Sequence, residues 1–143
     1  MGRIEKSIEI RAPPEKVWEM LAVDRHLEWM EEWKSVKYIS EVQTPEDKYR
    51  VGASARVTQK HGEFDLEIEE SLENEKIMLR SKELHFTVTY ILKPVDGGTK
   101  LTWVGELEMR WGILGKALSG IFIRMEEKGI QRGLEKLKSI LEK

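Results

Sequence analysis

The sequence predicts an α+β domain in which one antiparallel sheet is covered by a single long helix. Residues 35–110 alternate between apolar and polar side chains over short runs, which is the period of half-buried strands. Short turns separate these runs, and short connections favour antiparallel neighbours. Residues 115–142 then carry an apolar stripe at helical spacing. A chain of 143 residues can build one core but not two, so we expect a single domain over residues 1–143.

The chain opens with a predicted strand at residues 3–10, in which isoleucines lie among charged neighbours. Pro13 and Pro14 end this strand and begin a short helix, because proline fits the first helical turn, where its missing N–H would be unpaired. Asp24 is the expected N-cap of a second short helix, which carries Trp29 and Trp33 at helical spacing.

Six further strands are predicted, with turn residues such as Glu73-Asn74 and Gly97-Gly98 between them. Phe64, Leu66 and Ile68 alternate with acidic residues, so one face of the sheet is expected to be wet and the other covered. The predicted strands occupy residues 35–41, 53–61, 63–72, 76–82, 85–93 and 99–110.

Composition excludes several classes of function. The net charge is −2 and the basic residues are scattered, whereas a nucleic-acid module carries a basic stripe. The absence of cysteine excludes disulfides and thiol chemistry. The sequence contains neither an apolar signal region nor an apolar run long enough to cross a bilayer, so a cytoplasmic location is expected.

One pattern of structural positions extends over the whole chain. It consists of Ala-Pro-Pro-Glu-Lys-Val-Trp at 12–18, the region of Trp29, Val51-Gly52, Gly-Gly-Thr-Lys-Leu-Thr-Trp at 97–103 and the Leu-Lys of the final helix. This pattern resembles the START-like (SRPBCC, helix-grip) superfamily, and within it the polyketide cyclase/dehydrase and lipid-transport branch. The resemblance implies a seven-stranded curved antiparallel sheet wrapped around the C-terminal helix, with an apolar cavity between them. Members bind lipids, sterols, quinones, hormones or polyketides; some are enzymes and some are protein partners.

The residues expected to line such a cavity are aromatic, aliphatic and methionine side chains with a few polar tips, as in sites for apolar ligands. Plain core packing would use the same residue types, and the preference for a cavity as a set depends on the family resemblance. The candidates are Trp29, Met30, Trp33, Tyr38, Val57, Gln59, Phe64, Leu66, Ile68, Phe86, Val88, Tyr90, Trp103, Leu107, Met109, Leu118, Phe122, Met125 and Glu126.

Glu126 is the candidate for acid–base chemistry, because it falls near the middle of the apolar stripe of the final helix. A carboxylate there would be paired, protonated or wet, and in a pocket it could act as a general base. The alternative is that it reaches solvent beside its charged neighbours. Gly129 and Gly133 either allow close approach of the helix or leave room for a ligand, and close approach is the preferred interpretation.

An apolar segment at residues 111–123 leads into the final helix. It is expected to pack locally over the cavity mouth, with a portal or a transient membrane or protein contact as alternatives. The histidines, His26, His61 and His85, stand alone without the spacing of metal ligands, so neither a metal site nor a cofactor is expected.

The sequence therefore predicts binding or transport of a hydrophobic or amphipathic small molecule by a monomer or homodimer. Two alternatives remain open. One is a cyclase- or dehydratase-type enzyme that uses a carboxylate or hydroxyl in the pocket, and the other is a co-chaperone-like interaction subunit that uses residues 111–123.

Overall fold

The computed structural model describes residues 2–60, 62–107 and 112–143, with the backbone alone for residues 112–126. Two helices, two 3₁₀ helices and seven strands follow one another along these residues. In chain order they are β1 (Gly2–Ile10), α1 (Pro14–Glu19), a first 3₁₀ helix (Val23–Glu28), β2 (Trp33–Tyr38), a second 3₁₀ helix (Pro45–Tyr49), β3 (Ser54–Gln59), β4 (Gly62–Leu72), β5 (Lys76–Ser81), β6 (Phe86–Val95), β7 (Gly98–Leu107) and α2 (Gly112–Leu141).

The seven strands form one curved antiparallel sheet with the order β1-β7-β6-β5-β4-β3-β2. Six of the strands therefore follow a meander from β2 to β7, and β1 closes the other edge against β7. This register pairs Gly2 with Leu107 and Ile10 with Thr99. The predicted α+β helix-grip class, with its seven strands and short helices after β1, is confirmed.

The final helix packs on the sheet through its apolar stripe. Ile130, Leu134 and Leu137 are buried on the described part of α2. Polar contacts attach its C-terminal end to β1, because the Lys138 ammonium donates to the Glu9 carbonyl at 2.7 Å and the Arg11 amide donates to a carboxylate oxygen of Glu142 at 2.8 Å. The helix is thus fixed against β1, the edge strand that comes first in the chain.

The second short helix differs from its prediction. It is a 3₁₀ helix that begins at Val23, and no side chain caps it. Asp24 lies inside it, and its carboxylate instead accepts hydrogen bonds from the Tyr38 hydroxyl at 3.0 Å and the Lys48 ammonium at 2.9 Å. Ala22 occupies the N-cap position and the Asp24 carboxylate is directed to other elements, so the N-cap prediction was wrong.

Two strand ends and one helix start also differ from their predicted positions. The strand predicted at 35–41 runs from Trp33 to Tyr38, and the helix predicted from residue 115 begins at Gly112. The last strand, predicted to reach residue 110, is described as far as Leu107. The single-domain assignment remains a prediction.

Candidate functional site

A pocket of about 60 Å³ lies between the sheet and the first 3₁₀ helix. Six consecutive strands, β2 to β7, contribute to it, because the side chains of each strand alternate onto the covered face. Cross-strand pairs bring Leu79 next to Val88 and Tyr90 next to Trp103. The described lining residues are His26, Met30, Trp33, Gln59, Phe64, Leu66, Leu79, Leu84, Phe86, Val88, Tyr90 and Trp103.

A buried histidine is the main polar group of this pocket. His26 is 1% exposed, and its ring stacks on Trp33 with the ring centroids 4.8 Å apart and the planes at 15°. Its Nδ1 lies 2.9 Å from the Ala22 carbonyl oxygen, and its Nε2 lies 2.8 Å from the Tyr90 hydroxyl. Both ring nitrogens are therefore partnered inside the protein.

These partners determine the tautomer of His26. A carbonyl oxygen can only accept, so Nδ1 carries the hydrogen and donates to Ala22. Burial lowers the pKa of His26 from 6.5 to about 4, although the backbone hydrogen bonds act in the opposite direction. At neutral pH the ring is uncharged, and Nε2 accepts the hydrogen of the Tyr90 hydroxyl.

Tyr90 is the second buried polar group of the pocket. Burial raises the pKa of its hydroxyl well above the ordinary value of 10.0. Its cross-strand neighbour on β7 is Trp103, whose ring lies across Gly105, where a Cβ atom would collide with it, so the glycine leaves space for this indole. The result is a chain of hydrogen bonds from Tyr90 through His26 to the backbone of Ala22.

The pocket borders a smaller polar cavity of about 30 Å³, which we call the polar annex. Three side chains are shared by both cavities, so a ligand could extend from one into the other. The annex is lined by Met30, Glu31, Glu32, Trp33, Gln59, Gly129 and Arg132.

Gly129 and Gly133 of α2 have different environments. A Cβ atom on Gly133 would lie 2.8 Å from the Met30 sulfur and 3.2 Å from a ring carbon of Trp29, whereas one on Gly129 would have nothing within 4 Å. Close approach of the helix therefore explains Gly133, and it is directed at the Trp29–Met30 segment. Gly129 borders open space in the annex.

This difference predicts opposite effects of alanine at the two positions. Gly129→Ala is expected to raise the free energy of unfolding by up to about 1 kcal/mol, because alanine is the better helix former. Gly133→Ala gains the same helix propensity but crowds Trp29, so we expect it to be less stable than Gly129→Ala by about 1–3 kcal/mol. Urea denaturation followed by circular dichroism measures both. Equal stabilities would contradict the close packing at Gly133.

The structure brings together nine of the predicted lining residues and places five others elsewhere. Met30, Trp33, Gln59, Phe64, Leu66, Phe86, Val88, Tyr90 and Trp103 line the pocket. Trp29, Val57, Ile68 and Leu107 are buried and do not belong to its lining.

Tyr38 also lies away from the pocket. Its hydroxyl donates to Asp24, and its ring lies beneath the Lys48 ammonium, 5.9 Å from the ring centroid. The contact to Asp24 turns this tyrosine toward the loop between β2 and β3 instead of the cavity. Its pKa is raised above the ordinary value of 10.0, mainly by burial.

Several candidates cannot be placed. Met109 lies outside the described residues, and so does His61, one of the three isolated histidines. The side chains of four further candidates are also outside them: Leu118, Phe122, Met125 and Glu126. The proposed contact surface at residues 111–123 falls in the same part of the chain. The roles predicted for them remain predictions.

Sequence reasoning missed three lining residues, His26, Leu79 and Leu84. Leu79 was recoverable, because Ile77 and Leu79 occupy alternate positions of β5, and Leu79 pairs with Val88. A lone histidine has no periodic signal, and its partner Tyr90 is distant along the chain. Within the described residues no group of histidine and carboxylate side chains could hold a metal ion, and no helix is long and apolar enough to cross a membrane.

The curved sheet, the long helix and the pocket beside them define a helix-grip protein. The chain belongs to the polyketide cyclase / dehydrase and lipid transport family, whose model matches residues 1–142. A search of curated proteins finds no match to this chain.

Solved structures with the same fold include three that illustrate the range of relatives. Protein BH1534 from Bacillus halodurans is 20% identical, with a TM-score of 0.75 over 99% of this chain and 98% of that chain. Protein CV1439 from Chromobacterium violaceum is 20% identical, with a TM-score of 0.70 over 100% and 99%. The Aha1 dimer from Colwellia psychrerythraea is 18% identical, with a TM-score of 0.64 over 99% and 97%. These similarities establish the fold.

Proposed function

We propose that this protein binds an apolar or amphipathic small molecule in the pocket between the sheet and the first 3₁₀ helix. The observation that carries the proposal is the apolar wall of Phe64, Leu66, Leu79 and Val88 around one internal polar pair, His26 and Tyr90. Sites for small apolar ligands combine such walls with few, fixed polar atoms. The description of the family, which includes lipid transport, agrees with this function.

The size of the pocket indicates how such a ligand would lie. Small-molecule sites have volumes of about 300–1,000 Å³, much larger than the 60 Å³ enclosed by the described residues. A ligand of ordinary size must therefore extend beyond them. The polar annex offers one such direction, with the charged groups of Glu31, Glu32 and Arg132 at its wall. This arrangement suits an amphipathic molecule with its apolar end near Tyr90.

A catalytic function has one specific observation in its favour, the hydrogen-bonded pair of His26 and Tyr90. A proton could pass from a ligand to the Tyr90 oxygen while the Tyr90 proton moves to Nε2 of His26. The low pKa of His26 weakens this proposal, because a general base acts best when its pKa is near the working pH. The pair therefore supports binding more than proton transfer, and a cytoplasmic binding protein remains our preferred interpretation.

The proposal is tested first by native mass spectrometry of the purified protein, followed by organic extraction and identification of any bound molecule. Nile red, an apolar dye whose emission changes in apolar surroundings, tests binding when no ligand is retained. A stoichiometric apolar ligand or a saturable dye signal supports the proposal. Protein that is both empty and unable to bind the dye contradicts it.

A matched pair of variants locates the binding site. Val88 lines the pocket and Thr89 points to the opposite face of the same strand. Val88→Phe is expected to fill the pocket and weaken dye binding roughly tenfold or more, which corresponds to about 1.4 kcal/mol. Thr89→Phe should leave the affinity unchanged. Equal effects of the two variants would place the binding site elsewhere, and circular dichroism checks that both are folded.

A further inference from the structure

We infer that the pocket selects ligands that carry a hydrogen-bond donor, such as a hydroxyl or N–H group, because the Tyr90 oxygen is offered to the pocket only as an acceptor. This inference rests on the proposed function, since it concerns the chemistry of the ligand in the same pocket. It follows from the direction of each hydrogen bond in the buried chain.

The direction of these hydrogen bonds is set where the His26 ring meets the backbone of Ala22. The Ala22 carbonyl accepts at 2.9 Å from Nδ1 of His26, so the hydrogen of the neutral imidazole is on Nδ1. Nε2 then has only a lone pair. At 2.8 Å it must accept the hydrogen of the Tyr90 hydroxyl, because a contact of two lone pairs would be repulsive.

The Tyr90 hydroxyl has no second hydrogen for a ligand. Its one hydrogen is donated to His26, so toward the pocket its oxygen offers only lone pairs. A ligand hydroxyl or N–H can donate to this oxygen without disturbing the His26–Tyr90 pair, whereas a ligand carbonyl or ether would need the hydrogen that His26 already accepts. Taking that hydrogen would leave a buried Nε2 unpaired, which is costly.

The other polar side chain of the pocket, Gln59, does not impose this preference. Its amide can both donate and accept, and it lies where the pocket meets the polar annex. Gln59 therefore supplies a matched control, since it belongs to the same cavity without belonging to the hydrogen-bonded chain.

Phenol and anisole test the inference, because both carry one oxygen on the same ring but only phenol donates. Binding to the full chain is followed by NMR through the indole N–H signals of the tryptophans, with toluene as a size control. Wild-type protein is expected to bind phenol roughly fivefold to tenfold more tightly than anisole, the range of a net hydrogen bond. Hydrophobicity alone would give the opposite order of affinities, because anisole is the more apolar molecule.

Substitutions of His26, Tyr90 and Gln59 should affect the preference for phenol over anisole in different ways. In His26→Leu the Tyr90 hydrogen is free, so anisole affinity is expected to rise roughly fivefold to tenfold. The double variant His26→Leu/Tyr90→Phe removes both the Tyr90 oxygen and Nε2 of His26, so it should lose the preference for phenol, whereas Gln59→Leu should retain the wild-type preference. The wild-type comparison keeps the test decisive where the His26 variants do not fold.

Two unfavourable outcomes have different meanings. In the first, Nile red binds while phenol binds no more tightly than anisole, or while neither phenol nor anisole binds. In both cases the proposed binding function is retained and the inferred preference for a hydrogen-bond donor is wrong. If Nile red also fails to bind, the proposed function is wrong and the inference falls with it.

Discussion

Trp29→Ala is expected to reduce the free energy of unfolding by about 3–5 kcal/mol, the range for removing a large buried aromatic side chain. Trp29 is fully buried, and its indole N–H donates to the Met20 carbonyl at 3.1 Å. Its ring also packs against Gly133 of α2 and meets the ring of Tyr90 edge-on, with 6.2 Å between the centroids. The substitution therefore removes a contact shared by the first short helices, the sheet and α2.

The neighbouring tryptophan provides the control for this experiment. Trp33 is half-buried and lines the pocket, so Trp33→Ala should cost less stability and have the larger effect on dye binding. Chemical denaturation followed by circular dichroism measures the first effect, and Nile red fluorescence measures the second. Similar losses of stability in the two variants would contradict the central position assigned to Trp29.

Acid is expected to destabilise the protein by about 3 kcal/mol as the pH falls from 6.5 to 4, through His26 alone. In the unfolded chain this histidine gains a proton near pH 6.5, whereas burial delays protonation of the folded protein to about pH 4. The unfolded state therefore binds more protons in this window, and stability decreases with the pH. Above pH 7 the contribution is constant because the ring is neutral in both states.

Denaturation curves at a series of pH values measure this loss, and His26→Leu is the control. The variant should show little change in stability between pH 6.5 and 4.5. Asp24, whose charge acts on His26 from the same 3₁₀ helix, has a pKa below 3.8, because the effect of burial is outweighed by its hydrogen bonds from Lys48 and Tyr38. The stability that the ionised Asp24 provides is lost at a lower pH than the stability that depends on neutral His26. An equally steep loss in His26→Leu would show that another group controls the acid sensitivity.

The fold could be predicted from the sequence because each strand carries its own signal. Alternation in β4 and β7 identified the covered face, and the same alternation placed most of the pocket lining, including Phe64, Leu66 and Trp103. The apolar stripe of α2 similarly indicated which side meets the sheet. Periodicity is local, so one sequence is enough to detect it.

The polar part of the site could not be predicted, because it depends on contacts between distant segments. His26 meets Tyr90 only after β6 is placed beside the first 3₁₀ helix, and Tyr38 turns away only because Asp24 and Lys48 bind it. Trp29, predicted to line the cavity, has the same local pattern as Trp33 but lies deeper. Periodicity identifies a face and does not give the depth of a side chain within it.

The pairing of β1 with β7 also affects how the protein folds during synthesis. Ile4 and Ile10 leave the ribosome early, but the strand that pairs with them, residues 98–107, follows only after the rest of the sheet has been made. β1 therefore remains unpaired until β7 is available, whereas the other hairpins of the β2–β7 meander form between neighbouring segments. Such distant pairing slows folding, and the waiting strand is a site at which chaperones or aggregation can compete with completion of the sheet.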